Sequence, residues 1–397
     1  MILSRRFRRS TAALVALLAL ALALVGCGGG DGDGGSTPSA AGPTTLAPAG
    51  EGADRPIRAE EAWRWPAPPP GSVGMPAADD DGVSFTYGHL RVVLLDLDGS
   101  PRWEVERVGL RDVAPALTSD LVVAATEKGL LAVDRATGKL RWDTEVGERA
   151  NTPVVVGGRA VVSTWEGSLT AFDLDDGRVA WRTALPGPAI GPAATDGSVV
   201  AATWESTYGD AAGAVVVEGG DGRQRWSVPF EPGGVGGPAI VDLPEGEGPG
   251  SVVVAVAGDI AAHALDLADG HERWRTATGG RGSPEVPPLP FGDGEVLVAH
   301  RRAGLVLLDA GTGAEEWFGA ADGAAVRGGP AGPGPDGPFA FPIDDGRLFL
   351  VGPGLEPNPL DWPGRVSGVA ITPDGLLLVA TREARANYLI ALALDTA

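Results

Sequence analysis

The side chains of this chain that could do chemistry are few, and their spacing argues for structure more than for catalysis. Carboxylates stand side by side at Asp79-Asp80-Asp81, Asp175-Asp176 and Asp344-Asp345. Adjacent acids can hold a divalent cation, but a calcium loop needs them at alternate positions ahead of a glycine. None of the three runs has that spacing. Each stands immediately before a Gly, the pattern of a hairpin turn in which a short carboxylate bonds the backbone ahead of it. The four histidines, His89, His263, His271 and His300, show no metal-ligand spacing. There is no G-x-S-x-G elbow and no phosphate-binding loop. Gly-rich stretches at 233–237 and 332–337 lack the context of either and read as connections between repeats. The expectation is no catalytic residue, no metal and no cofactor.

The single cysteine, Cys27, points to a different chemistry. Arg5, Arg6, Arg8 and Arg9 precede an apolar run from Thr11 to Val25, which is short for a membrane span. Leu24-Val25-Gly26-Cys27 then resembles a bacterial lipobox, in which the Cys is acylated and becomes the new N-terminus. Residues 1–26 are therefore read as a lipoprotein signal peptide. Phe7 stands one place too early for a twin-Arg signal, so Sec export is expected. Residues 27–58 are read as the lipidated Cys with a tether rich in Gly, Ser, Pro, Ala and Thr. Its flexible reach is on the order of 30 Å. Without a second cysteine, no intramolecular disulfide can brace the rest of the chain.

The elements that must position any site are announced by tryptophan. Trp65, Trp103, Trp142, Trp181, Trp226, Trp274, Trp317 and Trp362 recur at intervals of 38 to 48 residues. A period near forty marks a β-propeller, in which each repeat is one four-stranded blade. The clearest copies place Asp, Gly and Trp four residues apart: Asp134, Gly138 and Trp142; Asp173, Gly177 and Trp181; Asp266, Gly270 and Trp274; Asp309, Gly313 and Trp317. Apolar residues before the Asp make a strand with one buried face. The Asp opens a turn, the Gly takes its φ > 0 position, and the Trp sits on the outer strand. Glu218 replaces the Asp ahead of Gly222 and Trp226, and Asn358 replaces the Gly ahead of Trp362. The turn from Asp96 to Gly99 is one residue shorter.

The last strand, ending at Asp395, has no outer partner after it. Trp63 and Trp65, on one face of a short N-terminal strand, supply the missing piece. The fold class predicted is all-β: an eight-bladed β-propeller over residues 59–397, four antiparallel strands per blade. The N-terminal strand completes the C-terminal blade and removes the open edges.

The spaced Asp, Gly and Trp pattern resembles the PQQ-type β-propeller repeat over about residues 60–397. That family includes quinoprotein dehydrogenases and the BamB-like outer-membrane assembly lipoproteins. The enzymes hold PQQ with a bound Ca²⁺, a catalytic Asp and, in many members, a disulfide between adjacent cysteines. One cysteine cannot make that disulfide.

Removing residues 1–26 takes four Arg from the 31 basic residues and none from the 52 acidic ones, leaving a net charge of −25. That argues against nucleic acid or an anionic membrane surface as partner. Two tryptophans fall outside the repeat. Trp165 and Trp204 stand 39 residues apart, each where a second strand ends and its loop begins. Tyr208 follows in the second loop, and the same loop elsewhere carries Arg301 with Arg302 and Arg382 with Arg385. Aromatic residues with Arg are the composition of partner-binding patches, so these seven are the candidate surface, a local basic spot on an acidic chain.

The function expected is a non-catalytic protein-interaction or ligand-sensing scaffold, extracytoplasmic, monomeric and lipid-anchored at the cell envelope. The alternatives are an enzyme using the central funnel, PQQ-dependent or otherwise, and a BamB-like outer-membrane assembly factor. Anchoring is testable directly. One acyl chain binds a membrane marginally, whereas several hold firmly. Cys27→Ser should move the protein from the membrane to the soluble fraction. Unchanged membrane association would show that the thiol is not the anchor.

Overall fold

The computed structural model describes residues 58–395, apart from 69–70, 245–249, 258–260, 278–285, 292–293, 301–303, 320–338, 343–347, 352–356, 361, 363 and 384–385. These belong to one compact unit, Pro48–Ala397. Its elements are strands, arranged as seven four-stranded sheets and one three-stranded sheet. In chain order, sheet one spans 77–106, two 116–145, three 154–184, four 194–230, five 239–277, six 289–319 and seven 339–360. Sheet eight combines 365–395 with the N-terminal strand Arg58–Ala67. All pairings are antiparallel.

The two middle strands of a sheet are buried on both faces. In sheet two, Leu121–Ala125 is buried throughout and Gly129–Asp134 is buried up to Val133. One buried face was expected here; both are covered because each sheet is stacked between two others. The outer strand differs, as in Leu140–Glu145, where Trp142 is buried between exposed Arg141 and half-buried Asp143. Eight apolar clusters join successive sheets. Phe172 packs against Trp142 between sheets three and two, Leu308 against Val254 between six and five, and Ile390 against Leu350 between eight and seven. The cluster of Phe85 with Trp65 joins sheet eight back to sheet one.

The turn chemistry is as the repeat predicts. Asp134 Oδ1 accepts the Thr137 N–H at 2.9 Å, and the Gly138 N–H reaches the Asp134 carbonyl at 2.9 Å. Gly138 has φ +70°, and a Cβ there would meet the Trp103 ring at 2.9 Å. The indole of the preceding sheet thus lies on the turn glycine of the next. Its Nε1–H donates to the Arg135 carbonyl at 2.7 Å. The same bond recurs from Trp142 to Leu174, Trp181 to Gly219, Trp226 to Leu267 and Trp274 to Ala310.

The N-terminal strand Arg58–Ala67 pairs with Ala386–Asp395, Arg58 opposite Asp395 and Ala67 opposite Asn387. Trp63, not Trp65, takes the repeat position: its Nε1–H donates to the Leu97 carbonyl at 2.8 Å, and it lies on Gly99. Trp65 is an additional core residue, edge-on to Phe85 and Tyr87 at 5.0 and 5.7 Å.

Sheet seven departs from the repeat. It has three strands among the described residues. Asn358 is not in a turn but in strand Pro357–Leu360, opposite Leu350. Trp362 lies beyond that strand, and its Nε1–H donates to Thr381 Oγ1 at 2.7 Å. Pro357 and Pro359 have no N–H to give. The donors to strand Leu348–Val351 must come from Asn358 and Leu360, so the outer side of strand Pro357–Leu360 offers none.

Closure by strand Arg58–Ala67 predicts a large stability loss when it is removed. A chain beginning at Gly71 should melt far lower than the full chain. Trp65→Ala alone should cost about 3–5 kcal/mol in denaturant unfolding. Unchanged melting of the shortened chain would show that this strand does not complete the ring.

Candidate functional site

Loops joining the second and third strands share one face of the ring with the connections between sheets. The Trp165 N–H reaches the Arg149 carbonyl, and the Ala189 N–H the Thr164 carbonyl. The Asp-Gly turns occupy the opposite face. On the loop face Trp165 is 44% exposed. Its Nε1–H donates to Asn151 Oδ1 at 3.0 Å, and the Arg149 guanidinium lies over its ring at 5.4 Å. Asn151 is itself buried, donating to Ser163 Oγ at 3.0 Å and the Gly191 carbonyl at 2.9 Å. Arg149 is paired with Glu166 at 3.2 Å. The Glu148 carboxylate beside them accepts the hydroxyls of Thr164 and Ser168 and pairs with Arg182. The indole is therefore held in place while part of its surface faces solvent. Tyr208, on the adjacent sheet's loop, is 90% exposed.

Trp204 does not belong to this surface. It is buried in the cluster between sheets three and four, its ring against Gly213. Its Nε1 is enclosed and has no hydrogen-bond partner. The register explains the error. Trp204 bridges to Ala189, whereas in sheet three Thr164 bridges to Ala150. Thr164, not Trp165, is thus the counterpart of Trp204. One residue of offset turns a strand side chain to the other face.

Arg382 is exposed, on the strand Leu376–Glu383 of sheet eight. Sheets one and two stand between it and Trp165 in the ring, so the two do not form one patch. Arg301, Arg302 and Arg385 lie outside the described residues, as do Asp344 and Asp345. The basic spot is not what surrounds Trp165: Arg149 and Arg182 each face a glutamate. Four exposed apolar residues went unnoticed in the sequence: Leu140 and Val179 on outer strands, and Leu90 at 40% and Val108 at 65% in loops. The latter two adjoin through the Arg107 N–H to Leu90 carbonyl bond on the same face. Isolated apolar residues in loops carry no periodic signal.

The acidic run Asp79-Asp80-Asp81 lines a cavity of about 330 Å³ with Ser119 and Arg135 on the turn face. Asp79 and Asp81 are engaged. Asp79 Oδ1 accepts the N–H groups of Asp81 and Gly82, and Asp79 Oδ2 accepts Arg135 at 2.6 Å. Burial alone would raise the Asp79 carboxyl; the Arg135 guanidinium and those N–H bonds outweigh it and hold the pKa below the usual range. Arg102 bonds to Asp81 and Asp96 and likewise lowers Asp81. This is a link between hairpins and sheets.

The sequence profile described as "Outer membrane protein assembly factor BamB" matches residues 88–245, 130–283 and 256–354. The chain belongs to this PQQ-like propeller family. No curated protein matches it in sequence. Among solved structures it is similar to BamB from Moraxella catarrhalis, at 17% identity and a TM-score of 0.65, covering 86% of this chain and 99% of that one. A europium-containing methanol dehydrogenase gives 14% and 0.65, covering 83% and 85%. The computationally designed Ika8 protein gives 13% and 0.61, covering 81% and 96%. At these identities the likeness is one of fold.

The two tryptophans should separate cleanly in unfolding experiments. Trp204→Ala should lose about 3–5 kcal/mol, and Trp165→Ala no more than about 1 kcal/mol. The reverse order would show that Trp165 is the structural residue.

Proposed function

We propose that this protein is a non-catalytic protein-interaction scaffold of the cell envelope, BamB-like in role. It is held to a membrane through Cys27 and works through the loop face that bears Trp165. Trp165 itself carries the reading. It is a large aromatic, 44% exposed, fixed from below by Asn151 and from above by Arg149. Ordering such a side chain before a partner arrives lowers the entropy cost of binding. Trp with Arg is the composition of an interaction hot spot. The family's description as an outer membrane protein assembly factor favours a protein partner.

The inner strands support the non-catalytic part. They carry mainly Ala, Val, Leu, Ile, Pro and Phe. Their charged residues are Asp79, Asp242 and Arg365; Asp79 faces Arg135, and Asp242 accepts the Ser251 hydroxyl. No three His, Cys, Asp or Glu side chains among the described residues are grouped to hold a cation.

Photo-crosslinking in cells tests the assignment. A crosslinking residue at position 165 or 208 should trap one envelope protein. The same residue at Val179, as exposed as Trp165 and on an outer strand, should not. Equal adducts from all three positions, or none, would remove the loop face as the working surface. A quinone absorption band in protein purified from its native cells would instead favour an enzyme.

A further inference from the structure

We infer that His89 and Asp112, oriented by Leu110 and Ser72, form a labile binding site for a divalent transition metal such as Zn²⁺. His89 is the one non-glycine residue with positive φ among those described, at 57°. A β-carbon is disfavoured there, and such strain persists where the surroundings enforce it. What they enforce is the placement of an imidazole. The His89 carbonyl accepts the N–H groups of Gly109 and Leu110. Its Nδ1 lies 3.1 Å from the Leu110 carbonyl oxygen. A carbonyl can only accept, so Nδ1 carries the hydrogen and the neutral ring's lone pair is on Nε2.

That nitrogen stands beside a carboxylate. Nε2 stands 3.4 Å from Asp112 Oδ2. Two electron-rich atoms so placed need a positive charge between them. Asp112 has little other compensation: Oδ2 receives the Ser72 hydroxyl at 2.9 Å, and Oδ1 is enclosed with no hydrogen-bond partner. Ligands at about 2.0–2.1 Å from a tetrahedral Zn²⁺ stand about 3.3–3.4 Å apart, the separation found here. The outer contacts also fit. Liganding imidazoles commonly donate the other N–H to a carbonyl, and liganding carboxylates accept a hydroxyl. The imidazole and carboxylate side chains are 62% and 33% exposed, so water can complete the coordination. With two protein ligands the site is exchangeable, not structural. It would join the segment entering sheet one, the loop at 88–90 and the connection at 110–112.

Zn²⁺ titration of the full chain, followed by calorimetry and by ¹⁵N resonances of the imidazoles, tests this. The variants are His89→Gly and Asp112→Asn; Gly suits the positive φ, so the first should fold normally. Zn²⁺ should shift His89 Nε2 and leave Nδ1 protonated. Each variant should bind at least about tenfold more weakly at this site. Zn²⁺ held elsewhere, at another histidine, would appear equally in all three proteins. Identical titrations for the three, or no shift of His89 at about 1 mM Zn²⁺, would overturn the proposal. So would a His89 Nε2 that stays protonated with Zn²⁺ present, because a proton would then supply the bridging charge.

Discussion

The architecture rests on an indole laid over a neighbour's turn glycine. Trp103 on Gly138, Trp142 on Gly177 and Trp226 on Gly270 leave no room for a Cβ, and each Nε1–H caps a carbonyl of the turn it covers. The turn and the tryptophan therefore act as one unit, although they belong to different sheets. No sheet can satisfy its own turn. Sheets one to six each take the tryptophan of the sheet before, and sheet one can do so only because the first strand pairs with the last. Sheet one is served by Trp63, which arrives on a strand paired with Ala386–Asp395 at the far end of the chain. Burying a Trp in this way removes large apolar area from water and leaves no polar atom unpaired.

Part of the chain's acidity serves the same device. Asp134, Asp173, Asp266 and Asp309 accept backbone N–H groups in the turns. Asp79 and Asp81 are linked to Arg135 and Arg102. Carboxylates that could be mistaken for catalytic groups hold hairpins together. With the turn face so engaged, the loop face is where Leu90, Val108, Trp165 and Tyr208 meet solvent. Loops on a rigid scaffold vary without cost to the core, which is why they serve recognition.

Much of this was legible in the residues alone. The Trp period, the Asp-Gly turns and the unpaired last strand determined the fold class and its closure, because each is a local chemical demand that repeats. Tertiary structure decided what repeats cannot specify. Trp63 rather than Trp65 meets Gly99, because Trp63 directly follows the strand bulge, as Trp103, Trp142 and Trp181 do in their sheets. Trp362 left the pattern because strand Pro357–Leu360 runs through the place where a turn was expected. Trp165 and Trp204 look alike in sequence, yet Trp204 bridges where Thr164 does; side chains alternate between faces, so one position separates surface from core. His89 and Asp112 are far apart in the chain and meet only because the loop and the connection fold together. Periodicity records what every sheet needs, whereas a site is built from what one sheet does differently, and only the packed ring reveals that.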